Sequence, residues 1–260
     1  MNEIFGIDVS HHNGKIDWEQ VAKSGKKFAI LKCQYEAQSH RIDECFEYNY
    51  AEASRNGIAR GVYIYIARAS MANPETDAHS LLKHLNGRKL EYGIWLDLED
   101  DSLRARGKAY IRELAYIYSE IFQRAGYYVG IYCNRDWYIN LIHNDLKEDF
   151  EFWIARYPKN DTGKYNPQSS IKPNYKIAVA WQYSSKGNVS GVKTRCDLNV
   201  DYDGVVNLIG SSPVRKSVDE IAKEVIDGKW STKENRKKML TSAGYDYNEV
   251  QAKVNEMLKK

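Results

Sequence analysis

Eight short runs rich in apolar, β-branched and aromatic residues punctuate the chain. They are IFGID (4–8), FAILKC (28–33), GVYIYI (61–66), YGIWLDLE (92–99), YVGIYC (128–133), FWIARY (152–157), IAVAWQY (177–183) and TRCDLNV (194–200). Their length and content predict strands. Helix-length stretches separate the first five, at 17–24, 43–56, 74–85 and 103–125, and another at 136–147 follows the fifth. Gly57 and Gly126 fall at expected helix ends and Gly61 at a strand start. Strand–helix alternation predicts a parallel sheet, and eight strands favour closure. The last three strands lack convincing helices between them. The expected fold is therefore an α/β, irregular TIM-like β/α barrel of five βα units followed by three strands. An open doubly wound sheet is the alternative, but no glycine-rich phosphate loop follows an early strand.

The pattern changes near GSSPVRKS (210–217), which reads as a linker. Beyond it, apolar positions recur at helical spacing: Val218, Ile221, Ala222 and Val225, then Val250, Val254 and Leu258. Three helices are expected, at 218–226, 233–242 and 248–258, the first capped by Ser217. The expected domains are a barrel at 1–209, a linker at 210–216 and a small three-helix bundle at 217–260. Fewer than 50 residues make a marginal core by themselves.

Composition narrows the function classes. The chain has 260 residues, is 43% hydrophobic and 28% charged, and carries a net charge of +3, too little to argue for nucleic acid. The 20 tyrosines and 6 tryptophans offer apolar faces with polar edges, which suits sugar recognition as well as a core. Cys33, Cys45, Cys133 and Cys196 are scattered without metal-ligand spacing and are expected to be free thiols, mostly buried. No GxxxxGK[ST], HExxH or GxSxG motif occurs. The start, MNEIFGIDVS, lacks basic and apolar leader regions, and no apolar run is long enough to span a bilayer. The expectation is a monomer without membrane insertion, made in a cytoplasm, which does not fix where it acts.

The candidate chemistry starts at WLDLED (95–100). On a strand, residues i and i+2 share a face, so Asp97 and Glu99 point together. Like charges held that close raise one pKa. If the barrel closes, Asp8 at the end of the first strand and Asp197 in the last become neighbours at the same mouth. Paired carboxylates without an activated serine or cysteine suit acid–base cleavage of a poorly activated bond, glycoside hydrolysis above all. Strand spacing leaves retention and inversion open. Tyr63, Tyr65, Tyr132, Trp153 and Trp181 are candidate sugar platforms that could equally be core; Tyr65 and Trp181, nearest strand ends, are preferred. No cofactor or metal is expected. A competing metal site would use Asp8, His11 and Asp97, as in a metal-dependent polysaccharide deacetylase, and a third reading is a wall-binding protein whose barrel has lost catalysis.

The segments GIDVSHHNGKIDW, GVYIY, WLDLE, GIYCN, WIARY, WQYSSKGNVSG and DLNVDY occur in the order found in glycoside hydrolase family 25, the lysozymes (N-acetylmuramidases) of phages, bacteria and fungi. The chain resembles that family over about residues 3–207. The resemblance implies hydrolysis of the β-1,4 bond between N-acetylmuramic acid and N-acetylglucosamine in peptidoglycan. It implies Glu99 as general acid, Asp97 as nucleophile or orienter of the substrate's N-acetyl group, and Asp8 and Asp197 as further groove acids. It also implies retention, with assistance from that N-acetyl group. Two segments depart from the usual pattern: KCQYE (32–36) where the family reads KATEG, and YIY (63–65) where it reads YHF. The tail is similar to the three-helix cell-wall-binding repeats of some phage lysozymes. Residues 213–260 carry 11 basic and 8 acidic side chains, a mild excess suited to an anionic wall. Trp230, Arg236 and Tyr245 are the tail residues expected to meet a ligand.

Overall fold

The computed structural model describes residues 3–35, 39–202, 205, 218–230, 236, 237, 240 and 245–258. All eight expected strands form: β1 Ile4–Val9, β2 Phe28–Lys32, β3 Ala59–Tyr65, β4 Ile94–Asp97, β5 Val129–Asn134, β6 Phe152–Ala155, β7 Ala180–Gly187 and β8 Cys196–Asp201. They close in sequence order into one barrel, and the open doubly wound alternative is set aside. Strands β1 to β7 run parallel, whereas β8 is antiparallel to both β7 and β1. That reversal follows from the short 188–195 connection, which leaves no room for a crossover helix.

The outer helices are α1 Trp18–Lys23, α2 Phe46–Arg55, α3 Arg68–Ala72, α4 Pro74–Leu85, α5 Asp101–Arg104, α6 Gly107–Arg124, α7 Arg135–Asn140 and α8 Asn144–Asp149. Asp17 and Asn73 cap α1 and α4 through backbone N–H groups of Gln20 and Thr76, and Pro74 opens α4. Two expected helices divide. The stretch 103–125 breaks at Ala105 and Arg106, and α6 starts afresh at Gly107, whose φ of +80° does not continue the helix before it. The stretch 136–147 breaks after Asn140, and His143 caps the second piece by accepting from the Asp145 N–H.

Alternation sorts the strand residues into two cores. The outward set, including Ile7, Leu31, Val62, Leu96, Ile131 and Leu198, packs under the helices. The inward set fills the barrel with Phe28, Ile30, Trp95, Tyr132, Trp153 and Ala180. Such bulk requires gaps opposite it. A Cβ on Gly130 would lie 2.4 Å from the Trp95 ring, and one on Gly6 would lie 2.6 Å from the Phe28 ring. Gly130→Ala is therefore expected to destabilise the barrel by about 1–3 kcal/mol through overpacking, read as a lower urea midpoint. An unchanged midpoint would mean Trp95 repacks freely.

In the tail, helices Val218–Ile226 and Tyr247–Met257 form as the spacing predicts. They pack through Ile221, Ala222, Val225, Leu240, Tyr245, Val250 and Val254, a cluster containing no barrel residue. The middle helix expected at 233–242 falls for the most part outside the described residues, as do Ser217 and the linker at 210–216. Among its described residues the tail is a helical region in which two helices are established. All four cysteines are free, with Cys33, Cys133 and Cys196 buried. No helix among the described residues is long and apolar enough to cross a membrane.

Candidate active site

A cavity of about 220 Å³ opens at the C-terminal mouth of the parallel strands, lined by Asp8, Tyr63, Asp97, Glu99, Tyr132, Trp153, Tyr157, Gln182 and Asp197. All four sequence-predicted acids meet there. Asp97 is the last residue of β4, and the chain keeps alternating past the strand end. Leu98 turns into the outer core while its N–H donates to the Tyr132 carbonyl at 3.0 Å, so Glu99 returns to the cavity. Asp100 does other work: it accepts from Ser102 N–H at 2.8 Å and from the Tyr65 hydroxyl at 2.9 Å, capping α5. Asp8 and Asp197 are register partners on β1 and β8. Because β8 runs backwards, the start of that strand lies at this mouth, which is why Asp197 reaches it.

The electrostatics follow from burial and like charge. Asp97 is 7% exposed. Its carboxyl is held well above the usual range, by burial first and then by the Glu99 and Asp8 charges. Half-buried Glu99 is also raised, by burial and then by Asp8 and Asp100. Four neighbouring carboxyls cannot all ionise, so the cluster retains protons toward neutral pH. Asp97 Oδ1 is buried without a hydrogen-bond partner. Lys32, at the end of β2, is the cation that pulls Asp97 back down.

Burial, then the Asp8 charge and a hydrogen bond to Asp8, push Asp197 up to about 8, from a reference value of 3.8. Between those values the folded chain holds a proton that the unfolded chain releases. The group's contribution to stability is thus greatest below the lower value and declines as pH rises toward the upper one. Asp197→Asn keeps a donor toward Asp8 without that proton. Its stability relative to the parent should climb between about pH 5 and pH 8, by at most on the order of 1 kcal/mol per pH unit. Urea melts at both pH values check this; a constant difference would mean Asp197 ionises normally.

Among the aromatic candidates, Tyr63, Tyr132 and Trp153 line the cavity, and the two preferred ones do not. Trp181 is corrected: Ala180 and Gln182 face inward, so Trp181 faces outward. It packs on Tyr165 and Tyr183 and donates its indole N–H to the Arg156 carbonyl at 2.8 Å. Tyr65 shares the inward parity but is spent on Asp100. Tyr157, Gln182 and Asn199 went unread in the sequence. Gln182 and Asn199 carried a signal, being polar residues inside apolar strand runs, with Asn199 two positions from Asp197.

The competing metal set is not assembled. His11 Nδ1 lies 2.6 Å from Asp43 Oδ2, and among the described residues the donors within reach of one ion are His11, Asp43 and Glu44, without Asp8 or Asp97. Of the two departures from the family pattern, Gln34 turns away to donate to Asp77 Oδ1 at 2.9 Å, Glu36 lies outside the described residues, and Tyr63 reaches the cavity. In the tail, Tyr245 is only 8% exposed. It stacks edge-on with Trp230, whose carbonyl accepts from Arg236 Nε at 3.4 Å. The three tail residues do meet, but Tyr245 belongs to the tail core and offers little surface to a ligand.

Known proteins share this arrangement of fold and sequence. The Lysozyme M1 of Streptomyces globisporus is 28% identical over 208 residues, 75% of this chain and 66% of that protein. The lysozyme of Streptococcus phage Cp-7 is 26% identical over 262 residues, spanning 98% of this chain and 70% of its own length. The modular autolysin LytC of Streptococcus pneumoniae, solved with a synthetic peptidoglycan ligand, superposes with a TM-score of 0.62 at 26% identity, covering 77% of this chain and 47% of that one. Residues 219–258 match the CW_7 repeat. Residues 7–192 match the profile of glycosyl hydrolases family 25, and with the barrel and its acid-lined mouth this establishes that the chain belongs to that family.

Proposed function

We infer that this protein is a muramidase-type glycosidase that hydrolyses the glycan strands of bacterial peptidoglycan. The observation that carries the reading is the convergence of Asp97 and Glu99 with Asp8 and Asp197 in one sugar-sized cavity. Its relatives named as lysozymes support the choice of substrate. The roles of the acids are assigned by position. Glu99, half-buried at the rim, is the acid that protonates the leaving glycosidic oxygen and afterwards takes a proton from the attacking water. Asp97, deeper and with an unpartnered oxygen, accepts the N–H of the substrate's 2-acetamido group and turns its carbonyl oxygen toward the anomeric carbon. Attack by that oxygen followed by water would give net retention. Tyr63, Tyr132 and Trp153 supply the cavity walls. The matched tail repeat acts as a wall-binding unit joined by the linker at 210–216, and the place of action is the bacterial wall. Mass spectrometry of digested walls tests the reading: new reducing ends should be on N-acetylmuramic acid. Reducing ends on glucosamine, or acetate release without chain cleavage, would overturn it.

A further inference from the structure

The cavity floor holds a set of hydrogen bonds that acid–base chemistry alone does not require. Asp8 Oδ2 accepts two amide N–H bonds, from Gln182 Nε2 and Asn199 Nδ2, each at 2.8 Å. Behind each amide stands a donor. The Gln182 Oε1 accepts from the Tyr132 hydroxyl at 2.9 Å and also from the Tyr157 hydroxyl. The Asn199 Oδ1 accepts from the Trp153 indole N–H at 2.9 Å. An indole N–H can only donate, so the oxygen of Asn199 must face Trp153 and its NH₂ must face Asp8. Gln182 is oriented by the same logic, with hydroxyls on its oxygen and a carboxyl on its nitrogen. Asn199 is fully buried and Gln182 is 3% exposed, so water does not compete for either amide.

We propose that Gln182 and Asn199 are positioning residues for the reaction, turned by Tyr132, Tyr157 and Trp153 so that their amides hold Asp8 as a carboxylate on the cavity floor. This deepens the glycosidase reading and rests on it. Burial is the largest influence and lifts Asp8 above the usual carboxylate range, while donors to its charged form, Asn199 and Gln182 foremost, limit that rise. A charged Asp8 then does two things at the mouth. It accepts the hydrogen bond of the Asp197 carboxyl, and it keeps a negative charge near Glu99, favouring the protonated acid that must donate. The titratable groups around Asp8 come from every side. They are Tyr63 on β3, Asp97 at the end of β4 and Glu99 just beyond it, Tyr132 on β5, Tyr157 after β6, and Cys196 and Asp197 on β8. Lys32 on β2 acts at Asp97. None of the others is positive, so the charged form of Asp8 is stabilised by hydrogen-bond donors, the Asn199 and Gln182 amides first and then the Asp197 carboxyl and a backbone N–H.

The test is a carboxyl ¹³C NMR titration of the full chain, paired with the pH profile of wall hydrolysis. Gln182→Met keeps length and removes the donor. Asp8 should then titrate at higher pH and Glu99 at lower pH, each by roughly one unit, with the alkaline limb of kcat/KM moving acidward together with Glu99. In an Asp8→Asn background Glu99 should already titrate low, and adding Gln182→Met should move it no further. Asn199→Leu is the second variant, expected to shift the same two groups the same way should the first fold poorly. Unmoved Asp8 and Glu99 titrations in either folded variant, or a Glu99 shift that adds to that of Asp8→Asn, would overturn the proposal. Acetate release without chain cleavage by the parent chain would instead strike the glycosidase reading, so the two failures are distinguishable.

Discussion

Glu99→Gln should lose at least ~10²-fold in turnover on purified walls while folding normally, the usual scale for removing a general acid. Glutamine matches glutamate in shape and still donates a hydrogen bond, but it cannot hand a proton to a departing oxygen. The variant also removes one of four crowded carboxyls. Glu99 is raised by burial and by Asp8 and Asp100, so its ionised form is held at a cost in the folded chain. The melting temperature near neutral pH should therefore stay level or rise, which separates lost chemistry from lost structure. Reducing-end release and a thermal melt on the same preparation give both readouts. Near-normal hydrolysis by the folded variant would remove Glu99 from its role and leave Asp97 as the remaining candidate.

Deleting residues 213–260 should leave cleavage of small soluble muropeptides intact and lower activity on whole walls by up to ~10²-fold. The tail buries its own apolar cluster and contributes nothing to the described barrel cores. A separate binding unit acts only by raising the enzyme's effective concentration on a polymer, an advantage that a short soluble substrate does not offer. The same logic predicts that high salt narrows the difference between the two forms, because the tail's excess of basic residues is screened. Loss on both substrates would mean that the tail supports the barrel or its groove.

The strands were legible because their signal is local. Each apolar run sits between turn or helix residues, and period-2 alternation carried Asp97 and Glu99 to one face without any knowledge of neighbours. The helices were less so. The break before Gly107 was readable only once that residue's positive φ was known, since glycine within a helical pattern is otherwise tolerated. Trp181 shows how a one-residue difference in parity decides everything. The run IAVAWQY is apolar on both sides of the strand, and nothing within it says which set faces the barrel axis. The polar residue at 182 marked the inward face, and the tryptophan beside it drew attention away from it.

By itself the sequence determined the barrel's eight strands, their order, the pairing of Asp97 with Glu99 and the separate helical character of the tail, because each depends on residues adjacent along the chain. The tertiary structure alone decided that β8 runs backwards, the arrangement by which the expected neighbours Asp8 and Asp197 meet, that Gln182 and Asn199 converge on one carboxylate oxygen from different strands, and that His11 is bound to Asp43 instead of joining the acids. Those contacts join residues as far as 191 positions apart. Hydrogen bonds and burial act over a few ångströms of space, and only closing the barrel turns such separations into that range.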